Sequence, residues 1–140
     1  ATDLRYGILV DVAWKVWKGE PVDLANGAFN CIWQGDANEL ILRSFPLARS
    51  PAQPWNLTSR EAYRVREVAV RLGELLGREP VFRGTESQTA LLSDSRALCS
   101  VLGPPPTSLA TILEWVAHWV QAGGATLGRP THFEVRDGKY

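Results

Sequence analysis

The amino-acid sequence predicts an α/β fragment: four to five helices with about three short strands that do not add up to a sheet. Two patterns carry this expectation. Apolar residues recur at i, i+3, i+4 spacing in four or five segments. The other apolar runs are only three to five residues long and are bounded by Gly or Pro. Three such strands make a poor core by themselves, so they read as pieces of a sheet whose remainder lies elsewhere.

The first helix is expected over 4–18, with Ile8, Leu9, Val12 and Val16 on one face, ending at Gly19 with Pro21 just beyond. A short strand over 29–33 follows the turn at Gly27. Asp36 is placed to cap a helix running through Leu40, Ile41 and Phe45. Pro46, Pro51 and Pro54 then enforce an extended surface connection. Trp55-Asn56-Leu57 predicts a second short strand. Thr58 and Glu61 have capping-box spacing that would open a helix there. The stronger apolar period begins later, with Val65, Val68, Ala69, Leu72, Leu75 and Leu76, and stops at Gly77.

Val81-Phe82 is a third extended piece, after Pro80. Ser93 or Asp94 is placed to cap a two-turn helix carrying Ala97, Leu98, Val101 and Leu102, ended by Gly103. Pro104, Pro105 and Pro106 force a spacer. Thr107 or Ser108 opens the last helix, with Leu109, Ile112, Leu113, Val116 and Val120 on its buried side and Gly123-Gly124 at its end. The expected domain therefore occupies 1–122, and a polar tail without usable periodicity fills 123–140.

Composition narrows the function classes. The 140 residues suffice for one domain with a real core. A 45% hydrophobic and 21% charged content is that of a soluble globular protein. Fifteen basic and fifteen acidic residues give a formal net charge of zero. No basic surface is evident for a phosphate backbone, so no nucleic-acid partner is expected. A small anionic ligand is not excluded. No run approaches the roughly 20 apolar residues of a membrane span, and the start does not resemble a signal peptide. Cys31 and Cys99 lack metal-type spacing, and so few cysteines point to a reducing, cytoplasmic setting. The chain begins Ala1-Thr2-Asp3 and contains no Met, from which processing or a piece of a longer chain is expected.

The sequence has no G-x-G-x-x-G, Walker loop, H-E-x-x-H or G-x-S-x-G. His118, between Trp115 and Trp119, reads as structural. His132 beside Glu134 is the other acid–base candidate, and no third ligand accompanies them to make a metal site. Cys31, inside an apolar run, reads as a small buried residue. Trp14 and Trp17 on the first helix, and Trp115 and Trp119 on the last, admit two readings. They pack inside one domain, or they present an aromatic surface to a partner, to a second copy or to a missing half.

Three segments, in this order and spacing, resemble the C-terminal, substrate-binding part of the NAD-dependent epimerase/dehydratase family, the extended short-chain dehydrogenase/reductases. The first is G-E-P-V-D-L over 19–24 with F-N-C-I-W-Q-G-D-A-N-E over 29–39, where Asp36 resembles the family's helix-capping Asp. The second is W-N-L-T over 55–58 with V-R-E-V-A-V-R-L-G-E-L-L-G-R-E-P over 65–80, similar to the family's last core strand and the helix after it. The third is R-G-T-E and S-D-S-R-A-L-C-S-V-L-G-P-P within 83–105, similar to R-x-G-D … D-x-x-K-A-x-x-x-L-G. The resemblance runs to about Val120.

This resemblance implies an extended Rossmann-type enzyme whose main parallel sheet, Gly-rich loop and catalytic Tyr-x-x-x-Lys lie outside the chain. None of Tyr6, Tyr63 and Tyr140 is followed by Lys four residues on. No catalytic or cofactor-binding residue is therefore expected here, and NAD or NADP is implied for the parent enzyme only. The part present would cover the substrate, a nucleotide sugar or a smaller hydroxy or keto compound. Arg83 stands where the family places an arginine on nucleotide phosphates, and Glu86 where its Asp meets a ribose hydroxyl. Phe29 replaces a second arginine, and Trp33 lies near the same pocket. Arg64 replaces the usual Ser helix cap. Without the Rossmann half the chain is expected to be inactive. The alternative is a standalone non-catalytic binding module or a homo-oligomeric interaction module.

Overall fold

The structure, a computed structural model, describes residues 1–129 and 131–135. Within the expected tail, Pro130 and 136–140 lie outside the described residues. Five helices are present among them: α1 (Ile8–Lys18), α2 (Gln34–Ser44), α3 (Val65–Leu76), α4 (Arg96–Leu102) and α5 (Leu109–Gln121). Four strands, each two residues long, join them: β1 (Val22–Asp23), β2 (Ala28–Phe29), β3 (Tyr63–Arg64) and β4 (Phe82–Arg83). β1 pairs parallel with β4, Val22 opposite Phe82. β2 pairs antiparallel with β3, Phe29 opposite Tyr63 and Ala28 opposite Arg64. Two separate two-stranded sheets result, as an α/β fragment requires.

The core lies where α1, α3 and α5 meet. Leu9, Val12 and Val16 of α1 share it with Val68 and Leu72 of α3 and with Val116 and Val120 of α5. These are the residues that helical spacing selects, because apolar side chains three and four apart form one stripe. Gly19 and Gly77 end α1 and α3 in the left-handed conformation, at φ 70 and φ 65. Ser108 caps α5, its hydroxyl accepting from the Thr111 N–H at 3.1 Å.

Several expected elements differ. Only Ala28–Phe29 of the 29–33 region is strand. Beyond it the extended backbone bonds to two separate segments: Thr2 N–H donates to Ile32 O at 2.9 Å and Ser59 N–H to Cys31 O at 3.3 Å. Trp33 joins Thr2 through a single parallel bridge and then occupies the N-cap position of α2. Trp55-Asn56-Leu57 belongs to no ladder among the described residues. Thr58 opens no helix, because the pairing of β3 with β2 takes the residues an earlier start would use. β1 was not expected at all, since its partner lies sixty residues on.

Asp36 does not cap α2. It sits within the first turn of the helix, buried, and its two carboxylate oxygens accept from Thr107: the N–H at 2.9 Å and the hydroxyl at 2.8 Å. It therefore ties α2 to the turn before α5, and its place in the first helical turn suits the helix dipole. Similarly, neither Ser93 nor Asp94 caps α4. Ser95 holds the N-cap position without a side-chain capping bond, and Asp94 accepts from the Arg96 N–H at 3.0 Å.

The described part of the tail folds back on α1. Thr131 N–H donates to Asp11 at 2.9 Å, and Asn26 donates to Phe133 O at 2.9 Å. Phe133 packs against the core below Lys15, which also pairs with Glu134 at 3.7 Å. Glu134 is thus engaged by Lys15. Trp14 and Trp17 pack against the core, covered by Lys18 and Arg78 cations at 5.7 and 5.0 Å from the rings. Trp115, 42% exposed, is the outward-facing tryptophan of the last helix.

Replacing Asp36 by Ala leaves Thr107 without its two acceptors. Denaturant unfolding of Asp36→Ala should show a loss of about 1–3 kcal/mol, the range for an uncompensated buried polar group. A loss below a few tenths of that would mean the tether carries no weight.

Candidate functional site

The site is built on the β1–β4 pair. Val22 N–H donates to Val81 O at 2.8 Å and Leu24 N–H to Arg83 O at 2.9 Å, which sets Asp23 beside Arg83. Asp23 Oδ1 accepts from the Ala25 N–H at 2.8 Å. Its Oδ2 takes Arg83 Nε at 3.1 Å and Nη2 at 3.0 Å. The Ala25 N–H is the largest cause holding the Asp23 carboxyl below its ordinary value, followed by the Arg83 bond and charge; burial opposes them. Asp23 is mostly covered, whereas the Arg83 side chain is 64% exposed. One edge of the guanidinium is fixed and the rest faces solvent, the arrangement an anion-binding fork needs.

Gly84, at φ 80, turns the chain away from β4 toward Glu86. Glu86 borders a groove of about 550 Å³, between the β2–β3 pair and 86–90, with Gly27, Arg64, Ser87 and Gln88 among its walls. At Gly27 the backbone approaches this segment closely, since an added Cβ would stand 3.3 Å from Ser87 O. Glu86 accepts from Arg64 Nη1 at 3.3 Å and from Arg66 Nε at 2.6 Å.

Of the four expected site residues, the structure brings Arg83 and Glu86 to one region. Phe29 is not at a surface: it is a core residue, edge-on to Tyr63 with ring centroids 6.1 Å apart. Trp33 packs edge-on against Trp115 at 5.1 Å. Among the described residues no hydrogen bond, ion pair or ring contact joins it to Arg83 or Glu86. A roomier cleft of about 630 Å³, lined by Cys31, Arg60, Tyr63, Pro105 and Ile112 among others, contains none of the four. Sequence reasoning missed Asp23, Arg64 and Arg66. The signal for Asp23 was its place in G-E-P-V-D-L, but only the parallel pairing gives it a partner.

The comparisons with known proteins concern the fold. No family profile matches the sequence, and no curated protein matches it. Solved structures do match. The UDP-glucose 4-epimerase of Thermus thermophilus, in complex with NAD, superposes with a TM-score of 0.62 at 19% identity, over 83% of this chain and 41% of its own. The UDP-glucose 4-epimerase of Thermotoga maritima, with UDP-glucose, gives 0.62 at 17% identity, over 84% and 40%. The UDP-glucuronic acid 4-epimerase of Bacillus cereus, in complex with NAD, gives 0.65 at 11% identity, over 83% and 39%. The fold class is therefore the one found in the C-terminal part of epimerase-type structures. This chain spans about two fifths of the length of each.

NAD does not fit the residues present. A dinucleotide cradle needs a strand, a Gly-rich turn and a helix within one parallel unit. Here the parallel pair joins Val22–Asp23 to Phe82–Arg83 across sixty residues, and the sequence has no G-x-G-x-x-G. Among the described residues no group of three His, Cys, Asp or Glu side chains could hold a metal ion, and no helix is long and apolar enough to cross a membrane.

Two outcomes follow from the titratable groups. Asp23 titrates below its ordinary 3.8 in the folded chain. Its stabilisation is thus present above that value and lost as pH falls through the lower, folded one. Asp23→Asn should lower stability at neutral pH and flatten its fall below about pH 4; an unchanged acid limb in denaturation curves would refute the pairing. Burial pushes the Cys31 thiol up to about 11. Iodoacetamide at pH 8 should then modify Cys31 on the order of a hundredfold more slowly in the folded chain than in urea, as thiolate fraction dictates. Equal rates, read by mass spectrometry, would contradict its burial.

Proposed function

We propose that this chain is the substrate-binding portion of an NAD(P)-dependent epimerase, dehydratase or oxidoreductase acting on a sugar or nucleotide sugar. Turnover requires a nucleotide-binding Rossmann half that these residues do not form. The observation that carries the reading is Arg83: an exposed guanidinium, held at one edge by Asp23 and three residues from a groove. An arginine fixed in this way presents its remaining N–H groups to a diphosphate at little further cost in side-chain entropy. The resemblance of the ordered segments to the extended short-chain dehydrogenase/reductases supports Arg83 as the phosphate contact. The solved epimerases of like fold include one with UDP-glucose and others with NAD, which supports a sugar-nucleotide ligand for the whole protein.

Chemistry in such an enzyme divides between the parts. When bound, the cofactor of the other half supplies hydride transfer. The residues of this chain bind and orient: Asp23 holds Arg83, Arg83 meets the phosphates, and the Gly27 approach shapes the groove floor. Phe29, buried in the core, leaves the clamp without an arginine at that position.

Titration of the 140-residue chain with UDP-glucose, followed by amide chemical shifts, should move Arg83, Gly84 and Glu86 first. Arg83→Ala should weaken binding about tenfold or more, the effect of one charge-assisted contact. Shifts confined to other regions, or affinity indifferent to Arg83→Ala, would contradict the site. Turnover of UDP-glucose by this chain with added NAD would contradict the incomplete-enzyme reading.

A further inference from the structure

Arg64 lines the groove, and it, Arg66 and Arg83 are each already engaged by a carboxylate. Arg83 is held by Asp23. Arg64 Nη1 lies 3.3 Å from Glu86 Oε2 and Arg66 Nε 2.6 Å from Glu86 Oε1. Arg64 also has Glu67 at 4.0 Å. Three cations face three carboxylates, so the cluster is neutral in itself.

Two features order it. The β2–β3 register sets Arg64 opposite Ala28, one strand over from the buried Phe29. The Arg66 guanidinium lies 4.5 Å over the Phe82 ring, which fixes its plane. Glu86 is the inner member, its side chain 26% exposed against 64% for Arg64 and 47% for Arg66.

We infer that Glu86 is an internal counter-ion rather than a ligand contact: it holds Arg64 and Arg66 side by side as a second clamp for a diphosphate and occupies the place of a phosphate charge until one arrives. The ligand class rests on the proposed function. The counter-ion role rests on the geometry. Each Glu86 oxygen already accepts from a guanidinium, so its charge is engaged by the two forks. A diphosphate offers the same two forks more charge and more acceptor oxygens, and displaces it. The two roles predict opposite signs. Removing a hydroxyl acceptor weakens binding; removing a competing counter-ion strengthens it.

Calorimetric titration of the 140-residue chain with inorganic pyrophosphate separates them. Glu86→Gln, nearly isosteric, should bind pyrophosphate about tenfold more tightly than the unaltered chain, the scale of one charge-assisted hydrogen bond. The gain should vanish when Arg64→Ala and Arg66→Ala are added. Unchanged, weaker or absent binding by Glu86→Gln overturns the inference, as does a gain that survives loss of both arginines. Pyrophosphate also keeps the two proposals apart. If Glu86→Gln tightens pyrophosphate through Arg64 and Arg66 while UDP-glucose fails to bind, the clamp stands and the sugar-nucleotide reading falls. If UDP-glucose binds through Arg83 and Glu86→Gln weakens pyrophosphate, the reverse holds.

Discussion

The pairing of β1 with β4 is the constraint on which the site depends. Two strands of two residues each supply little stability of their own, yet they join segments sixty residues apart and fix Asp23 beside Arg83. The pairing holds because its surroundings hold it. Val22 of β1 is fully buried in the core that α1, α3 and α5 build. Gly19 turns the chain out of α1 toward β1, and Gly77 turns it out of α3 toward β4. The helices thus deliver both strands to the same edge, and the electrostatics of the site follow from that delivery.

Those electrostatics balance locally. Asp23 engages Arg83, Glu86 engages Arg64 and Arg66, and Glu67 also pairs with Arg64, so a chain of zero net charge gathers three guanidinium groups against three carboxylates. Exposed pairs of this kind add little to stability. Their value lies in position: each carboxylate sets the direction of a guanidinium that would otherwise wander. Polar contacts also fix the tail along α1, where Asp11 and Lys15 hold Thr131 and Glu134.

What was legible in the sequence follows from range. The faces of α1, α3 and α5 could be read because i, i+3, i+4 spacing is local, and so could the stops at Gly19 and Gly77 and the Ser108 cap. Pairings across dozens of residues could not. Asp36 looks like a cap from its neighbours, and only the fold reveals Thr107, 71 residues away, as its partner. The extended backbone of Trp33 was legible, whereas the strand expected at Trp55-Asn56-Leu57 did not form, because a ladder depends on partners outside the local window. At the candidate site, Arg83 and Glu86 were singled out through motif order. Asp23, Arg64 and Arg66 were not, because their meaning lies in partners and not in spacing. Phe29 was placed near the pocket by resemblance and belongs to the core.

The fold matches about 40% of each epimerase compared, and the proposed function makes these residues one part of a larger protein. The most direct test is the coding sequence upstream of the Ala1 codon. The account predicts an open frame continuing for about 150–200 codons, the size of a further domain, and encoding a Gly-rich dinucleotide loop and a Tyr-x-x-x-Lys. An in-frame stop codon followed by a start codon directly before the Ala1 codon would contradict it.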